Sequence, residues 1–128
     1  MQNLLIIALG GALGAVLRFG ITDIMARALG RTFPYGTLTV NVLGSLIMGS
    51  VFVLVQQQVL HENSWRPFLM VGMLGALTTF SSFSLDSLLL LEQGQWLKAM
   101  LNVCLNVVCC IMVTYLGMQL TANILASR

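Results

Sequence analysis

The chain has 128 residues, of which ten are charged (six Lys/Arg, four Asp/Glu) and 58% are hydrophobic. A soluble domain carries about 25% charged residues, and one this small leaves too much surface in water to hide such an apolar composition. The same numbers exclude a disordered chain, and a net charge of +2, scattered along the sequence, is no footprint for nucleic acid. An integral membrane protein remains.

No charge falls in residues 1–17, 32–61, 67–85 or 99–127. A helix needs about 20 mostly apolar residues to cross the hydrocarbon layer, so these stretches predict four spans, at about 3–27, 37–60, 67–91 and 96–120, in a single transmembrane domain covering 1–128. Helix is favoured because backbone groups in lipid must be satisfied within the segment. A β-barrel would need alternating polarity, and runs such as Leu88-Leu89-Leu90-Leu91 alternate nothing.

The first span opens on an apolar run that ends in small residues, like a signal peptide. It has no basic n-region, and three spans follow, so it reads as a retained helix. Gly10 and Gly14 form a GxxxG match suited to close helix contact. Arg18 is the one basic residue inside a plausible span. It can snorkel, pair with Asp23, or raise the anion concentration at a pore mouth, and a vestibule or structural role is expected.

Thr37 and Asn41 in the second span lie one turn apart on one face. An amide at that depth can donate two hydrogen bonds to an anion or tie two helices together. Ser45 and Gly49 make a second small-xxx-small match. The connection that follows offers Asn63 or Ser64 as a helix cap, with Pro67 in the first turn.

The third span is the most polar. Gly75 lies near its middle, and five hydroxyls follow between Thr78 and Ser84. Hydroxyls compete for backbone hydrogen bonds and glycine weakens a helix, so the spacing predicts a helix broken near mid-membrane. Carbonyls released at such a break can coordinate a cation. Phe80 and Phe83 share a face, and aromatic ring edges are electropositive. Set among Ser81, Ser82 and Ser84, they make a weak, dehydrating anion site.

In the fourth span Asn102, Asn106, Cys110 and Thr114 recur every four residues, either as a polar track or as a packing stripe. Cys104, Cys109 and Cys110 have neither CxxC spacing nor a histidine beside them, so buried free thiols are expected rather than a metal site. Donors outnumber deep acids throughout, which points to a negative cargo.

Four spans put both termini and the middle loop on one side, with Arg66 and Arg128. The other side holds Arg27, Arg31 and Lys98, plus Arg18 if it snorkels that way. So small a bias permits insertion in either orientation. A chain found both ways up can pair with its inverted copy in an antiparallel, dual-topology homodimer.

Gly75 to Ser84 (GALTTFSSFS), Asn41 in Asn41-Val42-Leu43-Gly44, and Gly10 to Arg18 (GGALGAVLR) together resemble the Fluc (CrcB) fluoride channel family, over essentially the whole chain. The resemblance implies a dual-topology dimer in the bacterial inner membrane, with two fluoride pores and passive export of fluoride. It implies pore aromatics at Phe80 and Phe83, a pore amide at Asn41, and further contributions from Thr37, Ser81, Ser82 and Asn106. It also implies a structural, untransported sodium ion held by the Gly75 and Thr78 carbonyls of each subunit. Ala76 stands where a second glycine is frequent in the family. No further protein partner is expected.

A dual-topology, proton-coupled multidrug exporter has similar length, but it depends on a glutamate in the first span that this chain lacks. An accessory subunit would leave the hydroxyl–aromatic cluster without a purpose. An enzyme is not expected, because His61 lies in a loop and Ser81 has no base beside it.

Overall fold

The structure is a computed structural model that describes residues 2–127; Arg128, counted above, lies outside the described residues. Helix α1 spans Gln2–Leu29 and α2 spans Tyr35–Gln56. The third transmembrane segment is α3 (residues 62–77) followed by α4 (Phe80–Glu92), with Thr78 and Thr79 between them. Helix α5 runs over Trp96–Ala126. The segments are long and apolar enough to make four membrane crossings.

The ends differ from the sequence expectation in detail. The second span stops at Gln56 rather than near 60, because the chain folds back and the amides of Val59 and Leu60 both reach the Leu54 carbonyl. The third begins at Glu62, with His61 as its N-cap and no side-chain capping bond, so neither Asn63 nor Ser64 caps it. The fourth continues beyond 120 to Ala126. Gly30 and Gly94 end α1 and α4 at φ +83° and +72°, a conformation that glycine enters without a Cβ clash.

Two pairs of helices carry the packing, α1 against α3 and α2 against α5. Both rely on missing side chains. A Cβ on Gly10 or Gly14 would run into the backbone of Phe68 and Met73, and one on Gly49 or Gly117 would strike the carbonyl of Thr114 or Leu46. The small-residue motifs are thus used in packing within the chain. Two stretches have the wide i→i+5 pitch of a π-helix, Arg66–Leu74 within α3 and Leu105–Cys109 within α5.

The core is small: Val40, Val51, Leu74 and Leu77, backed by Ile21, Met48, Met70 and Met73. Most large apolar side chains point outward, among them Leu4, Leu9, Phe19, Leu97, Ile111 and Ile124. This suits a protein whose solvent is hydrocarbon. The three cysteines are free, but Cys104 is exposed and Cys109 and Cys110 are partly so, against the expectation of burial.

Candidate ion-conduction site

The third segment is interrupted from outside itself. Thr78 (φ/ψ −78°/154°) and Thr79 (−151°/112°) are both extended. Asn41 of α2 grips Thr79 from both sides: its Oδ1 accepts the Thr79 N–H at 2.7 Å, and its Nδ2 donates to the Thr79 carbonyl at 3.1 Å. The Thr79 hydroxyl then caps α4 by accepting the Ser82 N–H at 3.2 Å. Gly75 remains helical (φ/ψ −62°/−34°), so the break falls at Thr78–Thr79, beyond the glycine. A flexible residue permits a break, but here a competing partner for the backbone makes one.

This capture has a consequence for the carbonyls. In a continuous helix the Gly75 carbonyl would accept from Thr79 N–H and the Thr78 carbonyl from Ser82 N–H. Those two amides are taken by Asn41 Oδ1 and Thr79 Oγ1. Among the described residues, no hydrogen bond reaches the Thr78 carbonyl, and the Thr79 amide does not return to that of Gly75.

Below the capture lies a ladder of buried amides. Asn41 Nδ2 also donates to Asn106 Oδ1 at 2.9 Å. Asn106 Nδ2 donates to both the backbone and side-chain oxygens of Asn102 at 3.0 Å. Asn102 Nδ2 donates to Ser87 Oγ at 2.9 Å, and Ser87 donates to the Phe83 carbonyl at 2.8 Å. Asn102 is 0% exposed.

Above the capture, a half-open cavity of about 740 Å³ descends from the loops near Gly30 and Gln95 between α1, α2 and α4. Arg18, Arg31 and Lys98 line it, as do Thr37, Thr79, Ser82 and Asp86. Lys98 Nζ donates to the Thr32 carbonyl at 3.1 Å, which ties the two loops of that end together. Thr37 donates its hydroxyl to Asp86 Oδ2 at 2.7 Å. Thr79 Oγ1 donates to Ser82 Oγ at 3.0 Å, and Ser81 Oγ lies 3.3 Å from it. Ser82's own proton has no acceptor among the described residues, so it is a free donor at the cavity floor. Phe80 is 77% exposed at the surface of the chain, and its ring meets that of buried Phe83 edge-on, with centroids 5.3 Å apart.

A profile described as "CrcB-like protein, Camphor Resistance (CrcB)" matches residues 5–118. The chain belongs to the CrcB-like family. It is 57% identical, over 96% of its length and 98% of the relative's, to a protein of Aeromonas salmonicida named "Fluoride-specific ion channel FluC". Proteins of the same name from Pseudoalteromonas translucida (55%, over 89% of this chain and 95% of the relative) and Shewanella halifaxensis (54%, over 94% and 96%) are similar to it as well. These relatives carry the name of a channel, not of an enzyme.

Within this CrcB-like chain Ser81 and Phe83 sit in the first turn of α4, and the other sequence-selected residues fall into three places. Thr37, Ser82 and Arg18 line the cavity. Asn41 and Asn106 belong to the buried ladder, where both amide hydrogens of Asn41 are committed to protein oxygens. Thr78 and Phe80 lie at the break and Gly75 one turn before it, exposed or partly so at the surface of the chain. Arg18 does not pair with Asp23, whose carboxylate meets Arg27 at 2.8 Å. The sequence reading passed over Asp86 and Ser87. Asp86 stands two turns beyond the break, and its carboxylate meets Thr37 inside the cavity. Ser87 carried one faint signal, its spacing of four from Phe83, whose carbonyl it bonds.

Proposed function

We propose that the protein is a fluoride-specific channel that lets fluoride leave a bacterial cell passively, down its electrochemical gradient, across the inner membrane. The observation that carries this reading is the captured break. It turns one span of a solid bundle into a site with a free hydroxyl donor at Ser82, committed but exchangeable donors at Thr37 and Ser81, and the edges of Phe80 and Phe83 beside them. Close relatives named as fluoride-specific channels support the same reading.

Fluoride is small and strongly hydrated, so a path through hydrocarbon must replace water with donors at short range. Hydroxyls, amides and ring edges do this without a deep fixed cation that would trap the ion, and conduction needs binding weak enough to release. Arg18, with Arg31 and Lys98, raises the anion concentration in the cavity above. Asn41 and Asn106 contribute when an amide hydrogen now held by a protein oxygen turns to the ion.

The protein acts as a dual-topology homodimer. The weak charge bias between its two ends allows both orientations, and the exposed Phe80 leaves half a site on the surface of each protomer. The structural sodium ion fits the residues present. Gly75 and Thr78 each offer a carbonyl oxygen released from the helix, the hard donor that such a cation takes at discontinuous helices. When bound, the ion would add positive charge at the centre of the dimer.

Liposome efflux tests the reading. Vesicles loaded with potassium fluoride and given a potassium carrier release fluoride rapidly, whereas chloride-loaded vesicles stay silent. Equal chloride release overturns selectivity. Release that requires a proton gradient identifies a coupled exporter of the multidrug type instead.

A further inference from the structure

At the end of α2 opposite the cavity, a separate half-open slot lies between the second and third spans. Its volume is about 650 Å³, within the range of small-molecule sites. Phe52, Val55 and Met70 line its depth, Val55 and Met70 against the core and Phe52 facing outward. Gln58, Glu62 and Arg66 line its mouth, where the second span ends and the third begins. Trp65 is exposed beside them, an aromatic at the level where headgroups meet hydrocarbon. The slot is thus apolar at hydrocarbon depth and polar at the headgroup layer.

Two features of the mouth go beyond what the fold requires. Among the described residues, α1, α2 and α4 are each followed by one residue in the left-handed region. After α1 and α4 it is glycine, Gly30 and Gly94; after α2 it is Gln58, at φ +58°. A Cβ is strained there, and the side chain kept in spite of the strain lines the slot. The second feature is the pair Glu62 and Arg66, one turn apart, whose carboxylate and guanidinium meet at 2.8 Å with both side chains exposed. An exposed pair adds little to stability, so its two charges can turn to a ligand that carries the opposite pair. We propose that the slot binds one phospholipid whose headgroup carries a phosphate and a primary ammonium, as in phosphatidylethanolamine. Arg66 and the Gln58 amide donate to the phosphate, Glu62 accepts from the ammonium, and an acyl chain lies along Phe52, Val55 and Met70. An anionic headgroup would set a like charge against Glu62, and a choline headgroup has no N–H to give it.

Native mass spectrometry of the whole protein in detergent reads the preference. The protein is offered equal amounts of phosphatidylethanolamine, phosphatidylcholine and phosphatidylglycerol with the same acyl chains. Phosphatidylethanolamine is expected to be retained at least about tenfold more than either, the worth of one charge-assisted hydrogen bond. In Glu62→Gln the order should change, with phosphatidylglycerol overtaking it, because Arg66 then stands without its acid. Equal retention of the three lipids would mean a slot that takes any acyl chain, and a wild-type preference for phosphatidylglycerol would mean an anion site. Either result, or an unchanged order in Glu62→Gln, overturns the proposal.

None of these measurements involves ion flux, so the lipid site stands or falls apart from the channel reading. Gln58→Gly then separates the ligand from the fold. Glycine relieves the left-handed strain, so the unfolding midpoint without lipid should rise. Retention of phosphatidylethanolamine should nevertheless fall at least about threefold, the worth of one neutral hydrogen bond. A merely structural side chain would move both in the same direction. Retention that stays at the wild-type level or rises overturns the proposal.

Discussion

The third and fourth segments start from similar material and end differently. Each contains a π-type stretch, a series of polar side chains and a hydroxyl that bonds back to the carbonyl four residues earlier: Thr78 to Leu74, and Thr114 to Cys110. The fourth stays helical from Trp96 to Ala126. The third opens at Thr78–Thr79. The difference lies in what neighbours do to the backbone. In the fourth, Asn102 and Asn106 bond to each other and to side chains of other helices, and the helical ladder survives. In the third, Asn41 takes both backbone groups of one residue. Polar side chains within a membrane helix do not break it. An outside partner for its peptide groups does.

The sharpest way to break this comparison is Asn41→Asp. The acid still offers an oxygen to the Thr79 N–H, but it turns acceptors toward the Thr79 carbonyl and Asn106 Oδ1, where donors were. Fluoride efflux is expected to fall at least about a hundredfold, with a stability loss of about 3 kcal/mol for the buried groups left without partners. Thermal unfolding and vesicle efflux measure the two, and gel filtration should find the elution volume unchanged. Normal conduction would remove Asn41 from both the break and the pore.

Phe80→Ile follows, and it sharpens the contrast by separating the break from what the break exposes. Phe80 packs its ring only partly against Phe83 and is otherwise exposed. Its loss should leave the unfolding midpoint within about 0.5 kcal/mol of wild type. Efflux should nevertheless drop by about as much as for Asn41→Asp if, as proposed, the ring edges act as weak donors to the ion.

These contrasts also indicate how much a reader of the sequence could have known. Four spans, the family and the break were legible because charge spacing, hydropathy and a dense run of hydroxyls are local properties. The exact residues of the break within that run were not. Glycine at 75 is the weakest helix former of the run, but the deciding atom, Asn41 Oδ1, is 38 residues away and belongs to another helix. The same holds for Asp86 and Thr37, 49 residues apart and joined by one hydrogen bond. Asn102, Asn106 and Thr114 were visible as a row, but in the structure the row divides. Asn102 and Asn106 enter the ladder, and Thr114 turns to α2 and bonds the Ser45 carbonyl. A period of four gives the face of a helix and leaves open which neighbour that face meets.

Thr79→Val asks how much of the break belongs to the hydroxyl cap. The substitution removes the oxygen that accepts the Ser82 N–H and leaves the peptide groups for Asn41 to hold. A loss of about 1 kcal/mol is expected, as for other N-caps, with conduction reduced but measurable. Complete loss would mean that the cap, rather than Asn41, keeps the segment open.

Thr114→Val is the smallest and the most exacting comparison. Thr114 donates to the Cys110 carbonyl at 2.8 Å and reaches the Ser45 carbonyl at 3.2 Å. Both oxygens lie within unbroken helix, where they keep a backbone partner when the hydroxyl goes. Valine has the same outline, so no cavity opens against Gly49. Stability should change by no more than about 0.5 kcal/mol, and fluoride efflux should match wild type. A large effect here would mean that hydroxyls in the fourth segment act on the backbone as Asn41 does in the third. The distinction between polar residues that decorate a helix and polar residues that open one would then have to be redrawn.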